Sequence, residues 1–170
     1  PGGTVSTFCF HPESTQVAVF CNTARVWVWG LASGTPQGSW AIGERGAWGG
    51  AIWAADGERI LLADRYNHRV WVWDTRSKTV CGQGPRSSLM TAEAKFSSDN
   101  RYLVAAGSDG AVVLWPLRQS SAPRILQAGG DSFSPHCQAG LSADGRYAAR
   151  WFLGELRWWV LPTWSLGGTR

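Results

Sequence analysis

Lysine is nearly missing from this chain: 14 of its 16 basic residues are arginine, and the lysines are Lys78 and Lys95. Charge of either sign is sparse, at 16% of residues, which is low for a freely solvated surface. No window keeps apolar residues at i, i+3, i+4 and i+7 over three turns, which excludes a helical bundle or a coiled coil. Long apolar runs, an apolar leader and Asn-x-Ser/Thr acceptors are also missing, so neither a membrane span nor a secreted glycoprotein is expected. The four cysteines, Cys9, Cys21, Cys81 and Cys137, contain no CxxC pair and only three histidines accompany them. A zinc site is therefore not expected. Free buried thiols in a reducing, cytoplasmic compartment are preferred to disulfides. The chain opens on Pro1 rather than Met, which suggests processing or excision from something longer.

Catalytic signatures are equally scarce. There is no G-x-S-x-G elbow and no phosphate cradle, and Gly82-Gln83-Gly84 lacks the third glycine of a dinucleotide fingerprint. His11, His68 and His136 fall far apart, in turns, and read as solvated residues without a base or metal partner. No cofactor, no metal and no enzyme activity are expected. The net charge of +4 is spread along the chain without a basic patch, so specific nucleic-acid binding is not expected either.

What is abundant is tryptophan, at 12 residues, and glycine, at 21, in a chain that is 44% hydrophobic. Bulky rings separated by turn formers indicate short, well-packed strands. These rings repeat. VAVFCNTARVWVWG (17–30), ILLADRYNHRVWVWD (60–74), YLVAAGSDGAVVLWP (102–116) and YAARWFLGELRWWVL (147–161) align, each a strand, a turn and a second strand. Their terminal residues Trp29, Trp73, Trp115 and Trp159 follow at intervals of 44, 42 and 44. A second landmark, the acid in FHPES, WAADG, FSSDN and LSADG, keeps the same period: Glu13, Asp56, Asp99 and Asp144 lie 43, 43 and 45 apart. The periodicity makes these acids turn formers rather than paired catalytic carboxylates, and Asp-Gly and Asp-Asn pairs accept the positive φ of a tight turn.

The second strand of each unit is almost continuously apolar, which predicts burial on both faces. Weaker fourth strands follow at 36–40, 78–82, 123–128 and 163–166. Four strands per unit at this period predict an all-β fold, a β-propeller of four-stranded antiparallel blades. The chain reads as a single propeller or propeller segment over 1–170, with blades 4–40, 47–84, 91–128 and 134–168.

These residues resemble the WD-repeat family over nearly the whole chain. Trp73-Asp74 is its dipeptide, and 95–116 is the unit most like its strand–turn–strand run. Asp109 matches the family's b–c loop Asp, which there braces the blade through a His. No Gly-His dipeptide occurs; Gly130-Asp131 stands nearest to it, and the Asp109 position reads Thr23, Asn67 and Leu153 in the other units. Packing of Trp and aliphatic side chains is expected to replace that network. Trp29, Trp73, Asp74, Asp109, Trp115 and Trp159 are therefore assigned structural roles, and Trp27, Trp71 and Trp158 are placed in the core with them.

The resemblance implies a protein-interaction scaffold or adaptor that uses the d–a and b–c loops. The candidate partner-binding residues on those loops are Arg45, Trp48, Arg65, Tyr66, His68, Arg86, Trp151 and Phe152, with Met90 and Phe133 beside them. Trp48 lies off the period, and Trp151 and Phe152 lie at a turn, so all three are expected to be exposed rings. Arg and aromatics are enriched at binding hot spots. The partners expected are other proteins, with further blades or a second copy completing a ring. The alternatives are a propeller enzyme whose channel site is completed by blades outside this chain, and a nucleic-acid-binding propeller.

Overall fold

The computed structural model describes residues 3–42, 48–64, 69–83, 91–117, 123–134, 136–161, 163 and 165–170. Among them are four antiparallel four-stranded sheets and no helix. The first is β1 (Val5–Phe10), β2 (Gln16–Cys21), β3 (Arg25–Gly30) and β4 (Thr35–Ala41). The second is β5 (Trp48–Trp53), β6 (Arg59–Asp64), β7 (Arg69–Asp74) and β8 (Thr79–Gln83). The third is β9 (Thr91–Phe96), β10 (Tyr102–Gly107), β11 (Val112–Pro116) and β12 (Arg124–Gln127). The fourth is β13 (Gln138–Leu141), β14 (Tyr147–Phe152), β15 (Glu155–Val160) and β16 (Ser165–Thr169). In every sheet the strands are paired in chain order, the meander of a propeller blade.

The 43-residue rhythm has a visible physical basis. The turn joining the first two strands is built identically four times. Ser14, Gly57, Asn100 and Gly145 donate their amides to the carbonyls of His11, Ala54, Ser97 and Ser142. Each of these donors has positive φ, between 54° and 72°. The preceding acid shapes the turn in three units: the carboxylates of Asp56, Asp99 and Asp144 accept the amides of Glu58, Arg101 and Arg146 at 2.9–3.0 Å. In the first unit His11 Nδ1 takes that part, accepting the Glu13 amide at 3.2 Å. The terminal tryptophans also share one register, opposite Val17, Ile60, Leu103 and Ala148.

Two compact units divide the chain, Pro1–Gln83 and Gly84–Arg170. In the first, the inner face of one sheet (Ala18, Phe20, Val26, Val28) packs on Ile60, Leu62, Trp71 and Trp73 of the other. In the second, Val104, Ala106, Val112 and Leu114 pack on Ala139, Ala148, Phe152 and Trp159. Trp71, Trp73, Trp115 and Trp159 are buried as expected, whereas Trp27, Trp29 and Trp158 are only half-buried. Side chains alternate between faces along a strand. Trp27 and Trp29 therefore point away from the second sheet, and Trp158 away from the third, onto faces that no other sheet of their own unit covers.

Candidate functional site

Five of the candidate partner-binding residues, Arg45, Arg65, Tyr66, His68 and Arg86, lie outside the described residues, as does Met90. The other three part company. Trp48 is not an exposed loop ring: it opens β5, is 3% exposed, and lies in the core with Phe20 and Ile42. Its indole Nε1 donates to the Cys21 carbonyl at 3.3 Å, so it tethers the second sheet to the end of β2. Phe152 is also buried, because Trp151 and Phe152 are consecutive on β14 and must face opposite ways. Phe152 turns toward the third sheet, and a Cβ on Gly110 would sit 2.8 Å from its ring. Trp151 turns outward and is exposed, as expected.

Around Phe152 the second unit carries a polar cluster. Arg150, 4% exposed, donates through Nη1 to the Gly110 carbonyl at 2.7 Å and through Nη2 to Glu155 at 3.1 Å. Its guanidinium also lies 5.1 Å from the centre of the Phe152 ring. Glu155 accepts a second donor, Arg157 Nη2, at 2.9 Å, and Arg157 Nη1 reaches the side-chain oxygen of Gln127 at 2.7 Å. The hydrogen bond from Arg157 holds the Glu155 carboxyl below its usual range. Burial, then the neighbouring Arg157, pushes the Arg150 guanidinium down from its ordinary value. Arginine still keeps its proton at any physiological pH. The cluster is therefore a fixed ionic brace, not a proton-transfer device.

The b–c loop of the third sheet closes the same region. Asp109 is buried, its carboxylate accepts the Ala111 amide at 3.1 Å, and its backbone carbonyl accepts the Gly130 amide at 3.0 Å. A Cβ on Gly129 would fall inside the Asp109 carboxylate. The Ser134 amide reaches the Ser108 carbonyl at 2.8 Å. The connection 129–134 is thus stitched to the Asp109 loop along its backbone, at the place where Gly130-Asp131 stands. At this end Phe133, Trp151 and Leu153 are all exposed. Leu153 and Gly154 both have positive φ, 49° and 83°, the geometry of a tight two-residue hairpin turn.

Arg150, Glu155, Arg157 and Gln127 escaped the sequence reading. Arginine in a strand reads as a solvated face, and the available signal was positional: Arg150 shares the parity of Ala148, opposite the core residue Trp159. The turn histidines divide as well. His11 packs edge-on against Trp53 with centroids 4.9 Å apart, while His136 is exposed. Among the described residues no group of three His, Cys, Asp or Glu side chains is placed to hold a metal ion. No helix among them is long and apolar enough to cross a membrane.

No family model matches the chain. Cilia- and flagella-associated protein 52 of Macaca fascicularis is 25% identical over 113 residues, which is 66% of this chain and 20% of that protein. The Homo sapiens protein of that name is 25% identical over 113 residues, covering 66% and 18%. The Bos taurus protein is 25% identical over 107 residues, covering 63% and 17%. The chain thus spans about a fifth of the length of these relatives. Among solved structures, Kuenenia stuttgartiensis hydrazine synthase superposes with a TM-score of 0.68 at 13% identity, over 98% of this chain and 48% of that one. That likeness shows the fold alone.

Proposed function

We propose that the chain is a WD-repeat-type protein-interaction scaffold that binds other proteins through the b–c and d–a end of its blades, without catalysing a reaction. The observation that carries this reading is the exposure of Phe133, Trp151 and Leu153 at the end of the second unit where buried Arg150 binds the Gly110 carbonyl and the partly exposed Glu155. Rigid aromatic anchors over an ordered base lose little entropy on binding, as hot-spot residues must. The periodic acids favour a non-enzymatic role, since Asp56, Asp99 and Asp144 are engaged in their own turns.

The similar proteins are named for cilia and flagella. Partners are therefore sought first among proteins of those organelles, on the cytoplasmic side. The test is affinity capture from ciliated cells with the chain and with its Trp151→Ala and Phe133→Ser forms, read by quantitative mass spectrometry. A partner on these rings drops at least about tenfold with one variant, as expected for a hot spot worth about 2 kcal/mol. Capture that is identical for all three forms refutes the assignment of this end.

A further inference from the structure

One of the four turns that join a first strand to a second is held by an imidazole. In the second, third and fourth units a carboxylate takes a turn amide, and carboxylates stay ionised down to about pH 4. The first unit has His11 where the others have Ala54, Ser97 and Ser142. Its ring Nδ1 takes the Glu13 amide at 3.2 Å and lies 3.3 Å from the Thr15 hydroxyl. A backbone amide only donates, so this Nδ1 is the bare nitrogen and Nε2 carries the ring proton.

Imidazole is the side chain that gains a proton between about pH 8 and pH 5, and in the charged ring both nitrogens are donors. On protonation of His11 the Glu13 amide therefore faces an N–H and loses its acceptor. Thr15 answers differently. A hydroxyl either donates or accepts, so it rotates and accepts from the protonated Nδ1. One partner is dropped and the other is kept with its direction reversed. The ring finds a hydrogen bond in either state, but the turn closes on it in only one. The carboxylate turns of the other units have no such second state in this pH range.

The position of the ring carries the change to the second sheet. His11 is half-buried and stands edge-on to the buried Trp53, with ring centres 4.9 Å apart. The Trp53 indole donates to the Gly57 carbonyl at 3.0 Å, and the imidazole fills the space where a Cβ on Gly57 would lie. The ring is thus wedged between the first turns of two neighbouring sheets. The charged groups around it are few. Its own turn contributes the exposed Glu13. The second sheet's turn contributes Asp56 and Glu58, which are taken up by Arg59 at 3.8 Å and by Arg76. We propose that turn 11–16 is a proton-operated joint: the neutral His11 ring holds the Glu13 amide and locks the turn against Trp53, and the protonated ring keeps Thr15, releases Glu13 and loosens the turn.

The test is an NMR titration of the whole chain from about pH 8 to pH 5, following the His11 ring signals, the Trp53 indole proton and the Glu13 amide together. Hydrogen exchange of the Glu13 amide is corrected for its intrinsic dependence on pH. Its protection is expected to fall about tenfold, as for the loss of one hydrogen bond, with the midpoint of the His11 ring. The Trp53 indole signal is expected to move with the same midpoint. In His11→Asn the side-chain carbonyl accepts an amide two residues on and does not titrate, so the Glu13 protection should stay level across the range. Should that variant fail to fold, the wild-type curves decide alone. A Glu13 amide that keeps its protection while the His11 ring titrates overturns the proposal. So does a fall that follows His68 or His136 instead, or one that persists in folded His11→Asn.

Discussion

Replacing Arg150 separates the structural reading of the second unit from a merely compositional one. The guanidinium makes a charge-assisted hydrogen bond to the Gly110 carbonyl, an ion pair to Glu155 and a ring contact with Phe152. The first is worth about 1.5–3 kcal/mol, the second about 1 or less because Glu155 is partly exposed, and the third about 1. Against these stands the cost of burying the charge, together with a buried Nε that has no hydrogen bond among the described residues. Met keeps the length of the side chain and removes both sides of the balance, so Arg150→Met is expected to cost about 1–2 kcal/mol. Arg150→Ala also opens a cavity beside Phe152 and is expected to cost about 3 kcal/mol.

The assay is native-state hydrogen exchange read by mass spectrometry, because it reports each unit separately. A loss of about 2 kcal/mol lowers protection about 30-fold. The fall should be confined to peptides from 102–116 and 147–161, with those from 16–30 and 59–74 unchanged. Unaltered protection in Arg150→Ala, or a uniform fall across both units, refutes the brace.

Trp48→Ala should destabilise the first unit by about 3–5 kcal/mol, as for any buried Trp, and Trp48→Phe by about 1–2, both read as a shift in the urea midpoint. Gly57 has φ 72° and the His11 ring where its Cβ would be, whereas Gly34 has φ 64° and open space. Gly57→Ala should therefore cost about 2 kcal/mol and Gly34→Ala about 1, with part of the difference regained in His11→Ala/Gly57→Ala. Burial pushes the Asp99 carboxyl up, but hydrogen bonds from Ser97 and Arg101 outweigh it and bring it down to about 2. A depressed folded-state value means that this stabilisation is complete above the unfolded value near 4 and is lost as pH falls from about 4 toward 2. After allowing for solvent screening it amounts to about 1 kcal/mol, and acid titration of wild type against Asp99→Asn should show the wild type losing that margin over this window.

The blade architecture was legible in the sequence because two of its landmarks are local. A turn needs a positive φ after its acid, and a buried strand needs continuous apolar residues. Gly57, Asn100 and Gly145 meet the first demand and the Trp-bearing strands meet the second. What could not be read was which face of each strand has a neighbour. Trp29 and Trp73 occupy identical sequence surroundings, yet Trp73 is fully buried and Trp29 is not, because burial of a sheet face depends on the next sheet and not on the strand itself. Trp48 misled in the opposite direction. Glycines around it imitate a loop, while the structure uses Gly49 and Gly50 inside β5, next to a register shift between Trp48 and Gly50.

The Asp109 loop is held from several directions. Asp109 caps its own turn through the Ala111 amide. Backbone bonds from Gly130 to Asp109 and from Ser134 to Ser108 hold the connection 129–134 to it, and Arg150 fastens the next sheet to the carbonyl of Gly110, one residue beyond. Arg150, from the neighbouring sheet, thus adds a side-chain contact to a loop that backbone bonds also hold. The double-mutant cycle of Asp109→Asn with Arg150→Met measures this directly: residues sharing one loop should show a coupling of at least about 0.5 kcal/mol, whereas independent sites add within experimental error.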